Sequence, residues 1–386
     1  MKLAEVRRRL LEDVEKLKSP DGYLNAGLPR YNTLFGRDSL ISAWQMLDID
    51  PSIARATLQT LAKHQGKMVK PRAEEEPGKI LHEHRFQPES QAELPYWDFP
   101  YYGSVDSTPL FLFLAGEYFR KTGDKRFLLK IWPNIVASYR WIKDYGDRDK
   151  DGYVEYERKT PHGLFHQGWK DSSTDHLKVE PPVAIVEAQG YVFAAYRNLV
   201  FLDTELRKGV FLVEACQAAE DLKKKFNEEF WVEENNCFAL ALDGKKRQIK
   251  SVTSNPGHLL FTGIVAQEKK ASLVNRLFKP DLWTAYGLRT HSSEEPDFDP
   301  HSYHKGSVWP HDNWITYKGL LNLGFSAHAS RIKEALLRAY NALGNIPELY
   351  VVVDDTIALP SQQKGVRANS LQAWCSAGLL EMIWRD

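Results

Sequence analysis

Trp169 and Asp171 stand two apart in Gln167-Gly168-Trp169-Lys170-Asp171-Ser172, a short polar stretch. An indole beside a carboxyl suits sugar chemistry in two ways. Its face stacks on a pyranose, and its apolar wall disfavours the carboxylate, so the acid can keep a proton to give away. The plainer reading is a core tryptophan and a solvated aspartate at a turn, and these residues alone favour it. Four more loops collect the Arg, Asp, Glu, His and Trp residues that no helix face claims. They are Phe35-Gly36-Arg37-Asp38, Gly103-Ser104-Val105-Asp106, Arg289 to Asp312, and Pro347-Glu348-Leu349-Tyr350.

Helices must position these loops. Leu3, Val6, Leu10, Val14 and Leu17 share one face of an amphipathic first helix, which Ser19-Pro20-Asp21-Gly22 ends. Asp38 or Ser39 can cap a helix over Leu40 to Leu47, and Pro51 opens the next, to about Gln65. Gly66 to Tyr102 is a long polar loop with proline throughout and aromatics at its end. Further helices are expected from Asp106 to Phe119, Lys125 to Tyr145, Glu187 to Phe201 and Val210 to Glu229. Phe230 to Ile249 reads as an irregular excursion, and an apolar helix starts near His258. Lys269 to Phe278, Trp314 to Leu323, Ala327 to Leu343 and Ser370 to Trp384 complete the set. Strand signals are almost absent. A polar, aromatic loop precedes one helix and a plainer turn the next, as in a double ring of inner and outer helices. Six such pairs of about 60 residues each fill the length as a single domain, residues 1–386.

Composition narrows the partners. Lys and Arg number 51 and so do Asp and Glu, which leaves no electrostatic footprint for nucleic acid or a membrane surface. Eleven Trp and 17 Tyr suit carbohydrate stacking. Cys216, Cys237 and Cys375 are too few and scattered for a disulfide framework or a zinc site and fit a reducing, cytoplasmic setting. The first residues lack the apolar core of a signal peptide, and no segment is apolar enough to span a bilayer. Asp147, Asp149, Asp151 and Gly152 form the first half of a calcium loop, but Arg158 stands where the bidentate Glu belongs, so an Asp/Gly turn is expected. His82, His84, His304 and His311 lack metal-site spacing, and neither a metal nor a cofactor is expected.

Seven motifs in order carry a family resemblance. They are Phe-Gly-Arg-Asp at 35–38, Tyr-Tyr-Gly-Ser-Val-Asp-Ser-Thr-Pro at 101–109, Gln-Gly-Trp-Lys-Asp-Ser at 167–172, Glu-Ala-Gln-Gly-Tyr at 187–191, Ser-Asn-Pro-Gly-His-Leu-Leu at 254–260, Tyr-His-Lys-Gly-Ser-Val-Trp-Pro-His-Asp-Asn at 303–313 and Pro-Glu-Leu-Tyr at 347–350. Together they resemble the amylo-α-1,6-glucosidase domain of glycogen debranching enzymes. More distantly they are similar to glucoamylases and to the processing-glucosidase family that includes mannosylglycerate and glucosylglycerate hydrolases. The resemblance implies an all-α (α/α)6 barrel with long loops on one rim, and hydrolysis with inversion. Inversion needs an acid at the leaving oxygen and a base across the ring, roughly 6.5–9.5 Å apart.

By that resemblance Asp171 is the general acid and Glu348 the general base. Arg37 and Asp38 grip hydroxyls of the terminal sugar. Tyr31, Phe35, Asp106, Gln167, Trp169, Lys170, Arg289, Tyr303, Lys305 and Trp309 fall in loops expected to line the same pocket. Glu187 is a weaker candidate for the base, because it sits within an apparent helix. Lys170 would pull the pKa of Asp171 down if its ammonium pointed inward. Lys305 stands where many relatives carry a neutral Asn, and a cation there would favour an anionic aglycone such as glycerate. The expected activity is that of an exo-acting, inverting α-glucosidase on short, perhaps α-1,6-linked glucosides. The alternatives are hydrolysis of mannosylglycerate or glucosylglycerate, a sugar isomerase on the same barrel, a phosphorylase, and a non-catalytic sugar binder. A small glycoside is the expected partner.

Overall fold

Long and short connections alternate along the chain, and that alternation builds the fold. The computed structural model describes residues 2–172, 179–360 and 366–385. In chain order the helices are α1 (Leu3–Leu17), α2 (Gly36–Gln45), α3 (Pro51–Lys63), the single turn α4 (Pro88–Gln91), α5 (Ser107–Thr122) and α6 (Lys125–Trp141). After them come α7 (Val186–Glu205), α8 (Leu212–Glu229), a 3-10 helix (Asn255–Phe261), α9 (Gln267–Leu277), α10 (Pro310–Asn322), α11 (Ser326–Leu343) and α12 (Ala373–Met382).

Packing sorts them into two rings. The inner ring runs α2, α5, α7, the 3-10 helix, α10, α12 and back to α2. Behind each stands its outer partner: α3, α6, α8, α9, α11 and α1 in the same order. Burial follows from position. Inner helices are buried nearly all round, and α5 is buried without a break from Ser107 to Gly116. Outer helices are amphipathic, and α1 buries the stripe Val6, Leu10, Val14 and Leu17. Short turns into outer helices carry the caps. Asp50 accepts from Ser52 N ahead of Pro51, and Asp124 accepts from Phe127 N at 3.0 Å. This is the (α/α)6 barrel that the resemblance implied, and it is among the most legible features of the sequence.

The helix expected near His258 departs from the others. It is a 3-10 helix opened by Pro256 and Gly257. A Cβ on Gly257 would lie 2.3 Å from Thr316 Oγ1 of α10, so the tight wind lets the backbones approach closely.

The long loops lead into inner helices, so all of them lie on one rim. Two-residue strands and single bridges, unsignalled in the sequence, tie each loop to the next. Gly27–Leu28 pairs with Leu371–Gln372, and Leu34–Phe35 pairs with Glu83–His84. Val105 N donates to Gln167 O at 2.9 Å. Ala184–Ile185 pairs with Ala241–Leu242, Thr253 bridges to His291, and Val308 bridges to Tyr350. The result is a closed belt of backbone hydrogen bonds around the mouth.

The half calcium loop is a turn. Gly152 N donates to Asp147 Oδ2, and Tyr153 N donates to Asp151 Oδ1. Lys246 Nζ stands among the carboxylates, 2.8 Å from Asp149 Oδ2 and from Asp151 Oδ2 and paired with Glu155. A lysine supplies the positive charge that these acids call for.

Candidate active site

Six inner helices begin on the same rim, so their N-terminal ends, with free N–H groups and partial positive charge, face one region. Acidic residues suit that field. Asp38, Glu187 and Asp312 occupy first turns, and Asp106 precedes the first residue of α5. Above the helix starts lies a cavity of about 440 Å³, a size suited to a small ligand. Asp171 and Glu348 both line it, with Tyr31, Phe35, Arg37, Asp38, Trp169, Tyr303 and Trp309.

Asp171 keeps a quarter of its side-chain surface. Its Oδ2 accepts from Arg37 Nη1 at 3.0 Å. Burial pushes this carboxyl above the ordinary range, and Arg37 pulls against it. The opposing cation is therefore Arg37, whereas Lys170 turns away and donates to Thr290 O at 2.6 Å. Arg37 is itself buried, and also donates to Asp106 Oδ2 at 2.7 Å and to Gly168 O at 2.9 Å. These partners fix Arg37 in the cavity wall beside Asp171.

Glu348 is buried near the start of the connection from α11 to α12. Tyr303 OH donates to its Oε1, and Asn369 N donates to its Oε2 at 2.7 Å. Burial raises this carboxyl to about 7 even though both donors favour the ionised form. Asp38 is raised to about 7 as well, by burial first, with Arg37 opposing and Asp171 and Glu348 adding to the rise. Gln372 Nε2 donates to Asp38 Oδ2 at 3.2 Å. Three carboxyls thus line one cavity.

Aromatic rings form much of the remaining surface. Trp374 stacks on His311 at 3.7 Å, and Trp97 stacks on Tyr101 at 3.8 Å. Trp169 lies below, stacked on His258 at 5.7 Å and edge-on to Trp309 and His311. Lys170 Nζ is 5.1 Å from the centroid of the same indole. Trp169 therefore contributes an apolar part of the cavity lining.

Five of the expected pocket residues lie outside the cavity wall. Asp106 is fully buried behind Arg37, and Gln167 is buried with its Nε2 donating to Glu74 Oε2. Lys170 is held by Thr290, and Lys305 is ion-paired to Asp297 at 2.9 Å. Arg289 packs its guanidinium over Phe298, 5.3 Å from the ring centroid. Charged rim residues were expected to face inward, but loop geometry turns these five toward protein partners. Asp312 is bonded to His258 Nε2 at 2.8 Å instead of capping its helix. Glu187 accepts from Asn255 Nδ2 at 3.0 Å, lies beneath Gly168, and is no part of the cavity wall.

The structure also brings in residues that sequence reasoning missed. His82, Glu83 and Trp97 come from the long loop before α5, and Gln372 and Trp374 from the start of α12. Burial and Arg37 hold His82 well below the ordinary imidazole range, so it is neutral. Arg30 and Arg367 stand exposed at the mouth, joined by a bond from Arg30 Nη1 to Arg367 O at 3.2 Å. Neither is ion-paired to a carboxylate among the described residues. The signal for Trp374 was available, because it holds the same first-turn position on α12 that Arg37 holds on α2.

Comparison with known proteins agrees with this architecture. Among solved structures the chain is similar to the GH63 mannosylglycerate hydrolase from Thermus thermophilus in complex with Tris and D-glycerate, with a TM-score of 0.74 and 18% identity over 99% of this chain and 100% of that one. For the same enzyme in complex with glucose the TM-score is 0.73 and the identity 17%, with the same coverage. A wild-type glycosidase follows at a TM-score of 0.69 and 15% identity, over 99% of this chain and 95% of the other. At these identities the likeness speaks for the fold. No curated protein matches. The family model and these structures fall on the mannosylglycerate hydrolase side of the expected resemblance, and they do not confirm the glycogen debranching and glucoamylase side. A family model, the mannosylglycerate hydrolase MGH1-like glycoside hydrolase domain, matches residues 31–351, and the chain belongs to that family of glycoside hydrolases.

Proposed function

We propose that the protein hydrolyses, with inversion, an α-glycoside whose aglycone carries a carboxylate, of the mannosylglycerate or glucosylglycerate class. Asp171 is the general acid and Glu348 the general base. The observation that carries this reading is the pair itself, two acids lining one cavity and held by different partners, a guanidinium on Asp171 and two neutral donors on Glu348. Asp171 is partly open to the cavity and carries raised proton affinity, so it can donate to a leaving oxygen. Glu348 is clamped by two donors that orient its carboxylate to take a proton from water. Asp38 offers a further acceptor in the same cavity for sugar hydroxyls.

The family supports the glycerate class over the generic α-glucosidase expected from the motifs. Charge at the mouth agrees. Lys305 was the expected source of an anionic preference, but Asp297 neutralises it outside the cavity. Arg30 and Arg367 take that place, because guanidinium forks suit a carboxylate.

The test is a proton-NMR time course on mannosylglycerate, glucosylglycerate, their methyl esters and isomaltose. A glycerate conjugate should be consumed first, with the β-sugar appearing before mutarotation. Asp171→Asn and Glu348→Gln should each lose about 10²–10⁴-fold or more in kcat while staying folded. First appearance of the α-sugar would refute the acid and base assignment. Equal rates on esters and free acids would refute the anionic aglycone.

A further inference from the structure

Asp106 is in no position to touch a sugar, yet its charge is held close to the chemistry. It is fully buried at the start of α5, behind Arg37. Arg37 bridges two carboxylates, with Nε on Asp106 Oδ2 at 2.7 Å and Nη1 on Asp171 Oδ2 at 3.0 Å. The other oxygen of Asp106 accepts from Ser104 Oγ at 2.7 Å. Ser104 Oγ also accepts from Ser107 N at 3.2 Å, which fixes that hydroxyl at the helix start.

A guanidinium against a general acid poses a difficulty. It favours the carboxylate, the form with no proton to donate. In a buried site such an interaction is poorly screened. A second carboxylate on the same guanidinium offsets the charge. If that second charge is lost, the whole field of Arg37 falls on Asp171. The other ionisable groups around Asp171 are Asp38 on α2, Glu83 from the loop before α5, Glu348 from the loop before α12, and the phenols Tyr31, Tyr101 and Tyr303. The carboxylates among these disfavour ionised Asp171 and the phenols carry no charge, so Arg37 is the cation that matters at contact distance.

We propose that Asp106 is a positioning residue that acts through Arg37, fixing the Asp171 carboxyl in place and keeping it able to carry the leaving-group proton. The inference rests on Asp171 being the general acid. Asp106→Asn tests it, because Asn keeps an oxygen for Arg37 Nε and removes only the charge. The readout is the pH profile of kcat/KM on the glycoside, beside the same profile on the matching α-glycosyl fluoride, whose leaving group needs no proton. The basic limb for the glycoside should move down by about 1 pH unit, so the variant loses about tenfold on that limb, while fluoride hydrolysis stays near the wild-type rate. A basic limb superimposed on the wild type would overturn the proposal. Failure of the underlying reading looks different, since Asp171→Asn would then cleave glycoside and fluoride with equal loss or none. If Asp106→Asn does not fold, Asp106→Glu is read in its place. It keeps a negative charge for Arg37, so the basic limb should superimpose on the wild type, and a limb lowered by about 1 pH unit would overturn the proposal.

Discussion

Glu348 shows how two opposed effects set one side chain. Burial raises its carboxyl, and the bonds from Tyr303 OH and Asn369 N pull it back, leaving it at about 7. As the proposed general base Glu348 must be ionised, so on that proposal the acidic limb of the kcat/KM profile lies near pH 7, and activity should fall as pH drops through it. Tyr303→Phe removes one donor from the carboxylate and keeps the ring. The acidic limb should then move upward, with about tenfold lower kcat/KM at pH 6 and little loss at pH 9. A uniform loss at every pH would mean that Tyr303 acts on substrate and not on Glu348. The residue scale is also where the sequence was least explicit. Asp171, Glu348 and seven of the expected binding residues do meet at one cavity, because they sit where rim loops enter inner helices. Asp106, Gln167, Lys170, Arg289 and Lys305 share those loops and face elsewhere. A sequence names the loop, but the partner that turns each side chain, such as Asp297 for Lys305, is distant or unmarked.

Helix against helix, the inner ring closes through glycine. Gly116 of α5 faces Asn198 of α7, Gly319 of α10 faces the 3-10 helix, and Gly378 of α12 faces Gln45 of α2. A Cβ on Gly319 would lie 2.4 Å from Leu260 Cβ and 2.7 Å from Phe261 N. Two terms compete in Gly319→Ala. Helix propensity favours alanine by about 1 kcal/mol. Overpacking against backbone costs about 1–3 kcal/mol, and more when nothing nearby can move. The clash should win, so the variant should melt at a lower temperature and at a lower urea concentration than the wild type. Equal or higher stability would show that α10 and the 3-10 helix can separate freely. Helical pattern was readable because burial on one face leaves a period in the sequence and burial on all faces leaves a long buried run bounded by loop signals. The belt of two-residue strands was not, because one bridge per loop leaves no period at all. The 3-10 helix was read as an ordinary helix start for the same reason, since Pro256 and Gly257 mark a beginning without fixing the winding.

At the scale of the molecule, a ring of paired helices is closed only where the first outer helix meets the last inner one. Here α1 covers α12, Arg7 Nη2 donates to Ile383 O at 2.9 Å, and Gly27–Leu28 pairs with Leu371–Gln372. The last inner helix is buried from Ala373 through Leu380, so without α1 an apolar wall would face water. The size of that effect can be bounded. Val6, Leu10, Val14 and Leu17 are the buried residues of α1. At about 1.5–3 kcal/mol for each fully buried aliphatic side chain, they contribute on the order of 6–12 kcal/mol as an upper estimate. That is comparable with the whole stability of an ordinary domain, about 5–15 kcal/mol. Deletion of residues 2–18 should therefore abolish cooperative folding, although no residue of α1 lines the cavity. The check is the far-UV circular dichroism melt of the truncated chain beside its hydrolysis of the glycoside. A soluble truncation with a cooperative melt and intact kcat would show that the barrel does not need α1 to close, and that the stability resides in the inner ring alone.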